Sequence, residues 1–470
     1  MNQFLKKLFG FSIGPIIGAF ISFITVPVTT YFVNPTEFGK ASMFMVLQSL
    51  SVTLIYLGID QSYAKEYHDA KDKDALFQNA LFIPLMITAL VALIISIFSA
   101  SFSNLLFNST KYQMISVLFG IMLIFSVLER FILLTSRMEE KAFEYSFYSV
   151  LIKGLILLLT IAFILIGQRK FTMVVYATIF GQILGDLILI LKYRRFLKFS
   201  PKILDWALLK RMLYFGIPLI VAASVNNLLN TSGRFFLRGY STYSELGIYN
   251  AALKISAIVT ILQTAFTSFW VPTAYRWNKE KKDIKHFNAV SEILLLGMTL
   301  LFFFILLFKK YIVTLLSNDY TSAQYVVGML AMIPILYTLS ETTTLGIAFS
   351  GKSYYNVLVS FLSLIPNVVL CYLLIPKIGT KGAAIAAAIS YVFFCFSRTW
   401  FSRKCGFKIA FKKQTINIVI FFLAAFVNLS NNPNVFYVTI GLLLLSMMTQ
   451  STTINKIIDI AKNPSEWNFN

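Results

Sequence analysis

The feature that most limits the fold of this chain is the recurrence of apolar runs about 20 residues long, each sufficient to cross a bilayer as an α-helix. Only 13% of the 470 residues are charged and 57% are hydrophobic, whereas soluble proteins carry about 25% charged residues. We therefore predict an all-α polytopic membrane protein. About fourteen spans are expected, at residues 10–33, 42–62, 79–100, 113–136, 146–167, 171–192, 213–237, 248–273, 289–308, 323–348, 355–375, 381–400, 415–430 and 435–450.

The strongly basic charge reflects membrane topology. The net charge is +21, yet the Lys and Arg residues lie in short loops, and alternate loops hold most of them. Such alternation is typical of the positive-inside rule. It predicts cytoplasmic N- and C-termini with an even number of spans, and it predicts no nucleic-acid partner. We assigned Arg398 to one of these basic inner loops.

Several classes of site are disfavoured. The three cysteines and two histidines show no metal-ligand spacing, so no metal and no cofactor are expected. The predicted outer loops are short and hold no pair of acidic residues or cluster of histidines. These features disfavour an enzyme such as a membrane glycan polymerase or glycosyltransferase.

A short polar motif occurs twice and indicates an internal repeat. N-P-T-E-F-G follows the first span at 34–39, and S-E-L-G-I-Y follows the seventh at 244–249. Because six spans separate the motifs, the two halves should have parallel orientation. We expect Glu37 and Glu245 to cap the helices that begin beside them.

The repeat predicts two six-helix lobes followed by two further helices. The longest polar connection carries regularly spaced apolar residues among basic ones, which indicates an amphipathic segment on the inner leaflet, although a solvated linker fits equally well. The expected domains are an N-terminal lobe of spans 1–6 at 1–192, a cytoplasmic amphipathic linker at 193–212, a C-terminal lobe of spans 7–12 at 213–400, and spans 13–14 with a cytoplasmic tail at 401–470.

Further motifs resemble one family of transporters. They are F-G-I-P-L-I opening span 7, N-N-L-L-N-T-S-G-R-F-F-L within it, L-L-S-N-D-Y-T-S-A before span 10, and I-P-K-I-G-T-K-G-A-A entering span 12. With the two Glu motifs, they resemble the Wzx-type polysaccharide and O-antigen flippases of the multidrug/oligosaccharidyl-lipid/polysaccharide exporter superfamily, over most of residues 1–400. One departure is Gly233, where such proteins often have Asp before the Arg of span 7.

The resemblance implies a non-enzymatic flippase in the bacterial inner membrane. Its cargo would be an undecaprenyl pyrophosphate-linked oligosaccharide repeat unit, moved from the inner to the outer leaflet for assembly of O-antigen of lipopolysaccharide, capsule or exopolysaccharide. Two lobes would alternate access to a basic central cavity. The implied partners are the lipid-linked oligosaccharide, the bilayer, and the glycan polymerase and chain-length machinery.

Charged and amide side chains within spans are the candidates for the cargo site, because they are costly in lipid and usually face a cavity or a partner. Asn226, Asn230 and Arg234 fall on one face of span 7 at four-residue spacing, and an Arg suits a phosphate because it donates paired hydrogen bonds. The candidate substrate-binding residues are Arg234, Lys254, Lys153, Arg130, Asn226 and Asn230, and the candidates for ion coupling are Glu341 and Asp186.

Each candidate has a plainer interpretation, and other transporters remain open. The basic residues would snorkel to an interface or form a local ion pair, and Glu341 would join a helix–helix hydrogen bond. A multidrug/cation antiporter would share the layout but favour carboxylates in its cavity. A peptidoglycan-precursor flippase would share a basic cavity, but the motifs fit it less well.

Overall fold

The computed structural model describes residues 3–194 and 204–462, and within these ranges no residue forms a β-strand. Long apolar helices dominate, as the apolar runs predict, and the expected all-α class is confirmed. The α-helices are α1 (Gln3–Phe32), α2 (Pro35–Ile55), α3 (Ile59–Glu66), α4 (Lys73–Ile97), α5 (Ser99–Phe107), α6 (Gln113–Met138), α7 (Ala142–Ile166), α8 (Phe171–Lys192), α9 (Trp206–Tyr240), α10 (Tyr243–Lys279), α11 (Ile284–Val313), α12 (Val327–Thr343), α13 (Leu345–Phe349), α14 (Tyr354–Lys404), α15 (Lys412–Val427), α16 (Val435–Thr449) and α17 (Ser451–Lys462).

Length and hydropathy identify a multi-pass membrane protein. Within the described residues, nine helices are long and apolar enough to cross a bilayer, or up to eleven if two bent helix pairs each form one span. Helix α14 runs through two of the expected spans, but its backbone leaves helical geometry at Ile378 and Gly379, between them. The expected number of fourteen spans remains a prediction.

The chain divides into two compact units, Met1–Asn227 and Leu228–Asn470. In the first unit α7 packs against α1 and α8, while α6 packs against α4 and α8. Glycine allows the close approach of α7 and α8, because a Cβ at Gly181 would lie 2.7 Å from Ile156 Cα. Small residues at such crossings are typical of helix packing in membranes.

The second unit is organised around α12, which is buried along nearly its whole length and packs against α10, α11 and α14. A separate aromatic cluster forms around Trp270 and Trp277, whose rings meet edge to face at 5.7 Å and contact Phe287. Both indoles are almost fully buried. These large rings fix α10 and α11 together.

Residues 195–203 of the predicted amphipathic linker lie outside the described residues. Its C-terminal part, from Trp206, belongs to α9. The carboxylate of Asp205 accepts hydrogen bonds from the N–H groups of Ala207 and Leu208 at 2.9 and 3.1 Å, as expected for an N-cap.

Both Glu motifs make long-range contacts rather than the local caps expected from the sequence, so that prediction is wrong. Asn34 and Thr242 cap the adjacent helices instead. The Glu37 carboxylate accepts from the N–H of Phe171 at 2.9 Å, at the start of α8. The Glu245 carboxylate accepts from the N–H of Thr380 at 2.7 Å, just after the break in α14. Each Glu thus binds the free N–H end of a helix 134 or 135 residues further along.

Candidate functional site

In the first unit, Arg130 and Asp60 form an ion pair that joins α6 to α3. Arg130 Nη2 lies 2.6 Å from Asp60 Oδ2, and the guanidinium lies 5.7 Å from the ring centre of Tyr56. Asp60 is buried, whereas the side chain of Arg130 remains 42% exposed. The buried Nε of Arg130 has no hydrogen-bond partner among the described residues. Asp60 therefore fixes the position of the guanidinium, and the N–H groups of Arg130 that do not bind Asp60 remain able to donate hydrogen bonds.

Beside this pair, one amide links two carboxylates across α6 and α8. Gln182 Nε2 donates to Glu129 Oε2 at 2.8 Å and to Asp186 Oδ1 at 2.9 Å. Asp186 is fully buried, and in the described part of the chain no Lys or Arg forms an ion pair with it. A buried carboxylate without a cation is costly, so this arrangement suits a group that binds a proton or a cation.

Lys153 approaches the same region from α7. A Cβ at Gly18 would lie 2.9 Å from Lys153 Nζ, so glycine in α1 leaves the space that the lysine side chain occupies. Lys153 also attracts Glu129 electrostatically. The structure thus brings together three of the predicted site residues, Arg130, Lys153 and Asp186, through Glu129 and Gln182.

A cavity of about 290 Å³ opens between α2, α6 and α7. Its size is at the lower end of the range for small-molecule sites, which begins near 300 Å³. One face of the cavity is mainly polar: it consists of two arginines and a glutamate from α6, a tyrosine and a serine from α7, and the tyrosine that follows α2. The other face consists of aliphatic residues from α2 and α6. The polar lining residues are Tyr56, Glu129, Arg130, Arg137, Tyr145 and Ser149.

The second unit has a buried ion pair between α12 and α14. Arg398 Nη1 donates to Glu341 Oε1 at 2.7 Å and to Ser340 Oγ at 2.8 Å. The two side chains are only 12% and 8% exposed. The guanidinium also lies about 5 Å from the ring centres of Tyr337 and Phe394. Glu341 therefore has a strong fixed partner, which disfavours it as a group for ion coupling.

The other candidates in the second unit lie on α9 and α10. Tyr391 donates to Asn230 Oδ1 at 2.6 Å. Arg234 is half-buried, interacts electrostatically with Tyr249, and has a buried Nε without a hydrogen-bond partner among the described residues. Lys254 is also half-buried. Asn226, four residues before Asn230 on α9, belongs to the first unit.

The two acidic residues of the first unit and the ion pair of the second have the same separation along the chain. Glu129 on α6 precedes Asp186 on α8 by 57 residues, and Glu341 on α12 precedes Arg398 on α14 by the same 57. Each pair joins helices that pack together within its unit.

Sequence reasoning missed several of these residues. Arg398 was expected in an inner loop, but α14 continues to Lys404, so the residue lies inside the helix. The loop assignment was wrong because apolar periodicity locates the core of a span better than its end. Arg130 pairs with Asp60 and not with its neighbour Glu129. The only sequence signal for Arg398 was the need of Glu341 for a counter-charge.

Within the described residues, no group of three or more His, Cys, Asp or Glu side chains is arranged to hold a metal ion. The carboxylates of Glu129 and Asp186 share an amide and form only a pair.

One curated relative matches part of the chain. The probable low-salt glycan biosynthesis flippase Agl15 of Haloferax volcanii is 26% identical over 156 residues, which is 32% of this chain and 33% of that protein. The chain thus spans about a third of the length of the curated relative it matches.

Two solved structures are similar in fold over most of the chain. The lipid II flippase MurJ in an inward closed conformation has a TM-score of 0.67 at 15% identity, covering 95% of this chain and 99% of MurJ. An inward-facing multidrug resistance MATE transporter of the MOP superfamily has a TM-score of 0.62 at 15% identity, covering 81% and 93%. These similarities confirm the expected kind of helical fold.

A family model gives the widest sequence match. The model described as "Polysaccharide biosynthesis protein" covers residues 4–278, more than half of the chain. The resemblance expected from the sequence motifs is confirmed. The chain belongs to the polysaccharide biosynthesis protein family, and its fold is similar to those of the MurJ flippase and the MATE transporter.

Proposed function

We propose that this protein is a flippase for a lipid-linked oligosaccharide, and that it moves an undecaprenyl pyrophosphate-linked repeat unit from the inner to the outer leaflet. The observation that carries the proposal is the family match over residues 4–278. The glycan flippase relative supports the same class of cargo. The product would enter O-antigen, capsule or exopolysaccharide assembly.

The physical requirement for this function is a polar path for an anionic head group, because moving phosphate charges through hydrocarbon is prohibitively costly. Half-buried cations within the spans meet this requirement. We propose that Arg130, Lys153, Arg234 and Lys254 contribute cationic groups and Asn226 and Asn230 contribute amides to a central cavity, to which two lobes give access alternately. Arg234 and Arg130 support this role, since each has a buried Nε without a hydrogen-bond partner among the described residues.

Coupling to an ion gradient is assigned to the first unit. Asp186 shares Gln182 with Glu129 and pairs with no cation among the described residues, so its charge is free to respond to a proton or another coupling cation. Glu341 is already neutralised by Arg398 at 2.7 Å. We therefore favour Asp186, with Glu129, over Glu341 as the coupling group.

Localisation and partners follow from the proposed role. We propose that the protein resides in the bacterial inner membrane with both termini in the cytoplasm, where the lipid-linked unit is made. The glycan polymerase and chain-length machinery would receive the translocated product on the outer side.

The decisive test is genetic and chemical. A strain lacking the protein should accumulate lipid-linked oligosaccharide on the cytoplasmic leaflet and lose surface glycan, and the wild-type chain should restore both. Arg234→Ala and Lys254→Ala should restore them poorly, while Lys279→Ala, an exposed basic residue at the end of α10, serves as the control. Unchanged surface glycan in the deletion strain would overturn the proposed function.

One observation favours a second candidate, a cation-coupled multidrug antiporter. The acid pair of Glu129 and Asp186 is the kind of group that such a transporter needs. A deletion strain that keeps its glycan but becomes sensitive to cationic drugs would identify this second function.

A further inference from the structure

The cavity between α2, α6 and α7 has the chemistry of an anion site. Arg130 and Arg137 lie seven residues apart on α6, which places them two turns apart on one face of the helix. Tyr145 and Ser149, four residues apart on α7, add two hydroxyl groups. Two guanidinium groups and two hydroxyls on facing helices suit the oxygen atoms of phosphate groups.

The two arginines have different surroundings. Arg130 is held by Asp60 at 2.6 Å through Nη2, and its buried Nε has no hydrogen-bond partner among the described residues. Arg137 is exposed, and none of the described carboxylates forms an ion pair with it. One guanidinium is therefore preorganised within the cavity, and the other is free to close on a ligand.

The acidic neighbours do not cancel this positive charge. Asp60 is occupied by Arg130. Glu129 accepts from Gln182 at 2.8 Å and is attracted by Lys153. Among the residues that line the cavity, the two arginines Arg130 and Arg137 outnumber the one carboxylate, Glu129.

The size and polarity of the cavity limit its ligand. A volume of about 290 Å³ is too small for an oligosaccharide but suits a head group of two phosphates. Val52, Leu133 and Leu134 line the remaining wall, so an apolar chain attached to the phosphates also finds a compatible surface.

We propose that this cavity binds the diphosphate group of a polyprenyl diphosphate-linked substrate, with Arg130 as the fixed donor and with Arg137, Tyr145 and Ser149 completing the site. The inference rests on the proposed function, and it adds a head-group site within the first unit. Arg137 lies in the last turn of α6, before a loop that the basic-residue pattern places on the cytoplasmic side. The site is therefore where a substrate in the inner leaflet would first be captured.

The test is binding to the purified full-length protein in detergent. Geranylgeranyl diphosphate, inorganic pyrophosphate and geranylgeraniol are compared by thermal shift and by thermophoresis. The diphosphates should bind and the alcohol should not. Binding of geranylgeranyl diphosphate at least tenfold tighter than pyrophosphate would identify a lipid head group as the ligand, and equal binding would identify free diphosphate. Binding of the alcohol as tight as that of geranylgeranyl diphosphate would overturn the proposal.

Variants locate the binding to this cavity. Arg137→Ala should weaken diphosphate binding at least tenfold, Arg137→Lys should weaken it less, and Ser149→Ala should weaken it about threefold. These side chains are not part of the Asp60 ion pair, so the variants should fold. The matched control is Lys141→Ala, which removes a positive charge from the adjacent loop, where Lys141 pairs with Glu139 at 2.7 Å. Equal weakening by Lys141→Ala, or unchanged binding by Arg137→Ala, would overturn the site.

Two combinations of results would distinguish an error in the proposed site from an error in the proposed function. Normal glycan export in the deletion strain, together with diphosphate binding that depends on Arg137, would refute the flippase and keep the site. Lost export in the deletion strain, together with full binding and full rescue by Arg137→Ala, would refute the site and keep the flippase.

Discussion

The carboxylate of Glu37 accepts a hydrogen bond from the backbone N–H of Phe171 at 2.9 Å, and so joins the start of α2 to the start of α8. Glu245 does the same for Thr380 at 2.7 Å in the second unit. A carboxylate at the free N–H groups of a helix satisfies orphan donors and meets the positive end of the helix dipole. The Glu side chain of each motif therefore stabilises the contact between two helices that are distant in sequence but belong to the same unit.

Removing either of these two carboxylates should destabilise the protein. We expect Glu37→Ala and Glu245→Ala each to cost about 1.5–3 kcal/mol, the usual contribution of a hydrogen bond to a charged group. Glu37→Gln and Glu245→Gln should cost less, because an amide oxygen still accepts. Thermal unfolding in detergent measures the effect. Glu280→Ala is the control, since its exposed pair with Arg276 at 3.9 Å should contribute under about 1 kcal/mol. Equal losses at all three positions would contradict this account.

Breaking the buried ion pair of the second unit should have a larger effect. Glu341→Ala or Arg398→Ala leaves one charge buried without its partner, at a cost of about 3–5 kcal/mol. The double substitution Glu341→Gln with Arg398→Met should recover most of that stability, because no uncompensated charge remains. A double-mutant cycle followed by thermal unfolding checks this prediction, and purely additive losses would refute it.

The close crossing of α7 and α8 should not accept a side chain at Gly181. A methyl group there would meet Ile156 Cα at 2.7 Å, and the backbone would have to move. We expect Gly181→Ala to cost about 1–3 kcal/mol, the usual penalty for overpacking. Gly154→Ala, where nothing lies within 4 Å, should be neutral or stabilising by up to about 1 kcal/mol. The midpoints of thermal unfolding compare the two variants, and similar shifts would show that the crossing is adaptable.

Neutralising the acid pair should uncouple transport from its driving ion. Asp186→Asn and Glu129→Gln keep the size of the side chains and one acceptor oxygen each but remove the charges. With a gradient imposed across proteoliposomes, we expect the variants to translocate cargo at a rate that no longer depends on that gradient. The Glu341→Gln variant, whose carboxylate is normally occupied by Arg398, should keep the dependence if it folds. Full gradient dependence in Asp186→Asn would exclude this carboxylate from coupling.

The sequence alone predicted the helical class well, because spans of about 20 apolar residues have no other stable form in a bilayer. It also located both Glu motifs. It could not identify their partners, since the bonds to Phe171 and Thr380 close loops of more than 130 residues. Only packing within each unit brings such groups together.

The candidate site could be predicted only in part, because packing within the unit also determines the contacts between its residues. An ionisable residue within a span was visible as an anomaly, and Arg130, Lys153 and Asp186 are close together in the first unit. The sequence did not predict how these residues are connected. Nothing in the sequence distinguishes Gln182 from other polar residues, yet its amide donates to the carboxylates of both Glu129 and Asp186. Arg137, in the last turn of α6, also lines the cavity.

Translocation by the purified protein tests the proposed flippase activity most directly. The purified protein would be reconstituted into liposomes with a fluorescent polyprenyl diphosphate oligosaccharide, and the fraction accessible to an external glycosidase would be followed with time. We expect accessibility to rise from half to nearly all of the labelled lipid with the wild-type protein, and to rise at least tenfold more slowly with Arg137→Ala. No rise above protein-free liposomes for the wild-type protein would contradict the proposed activity.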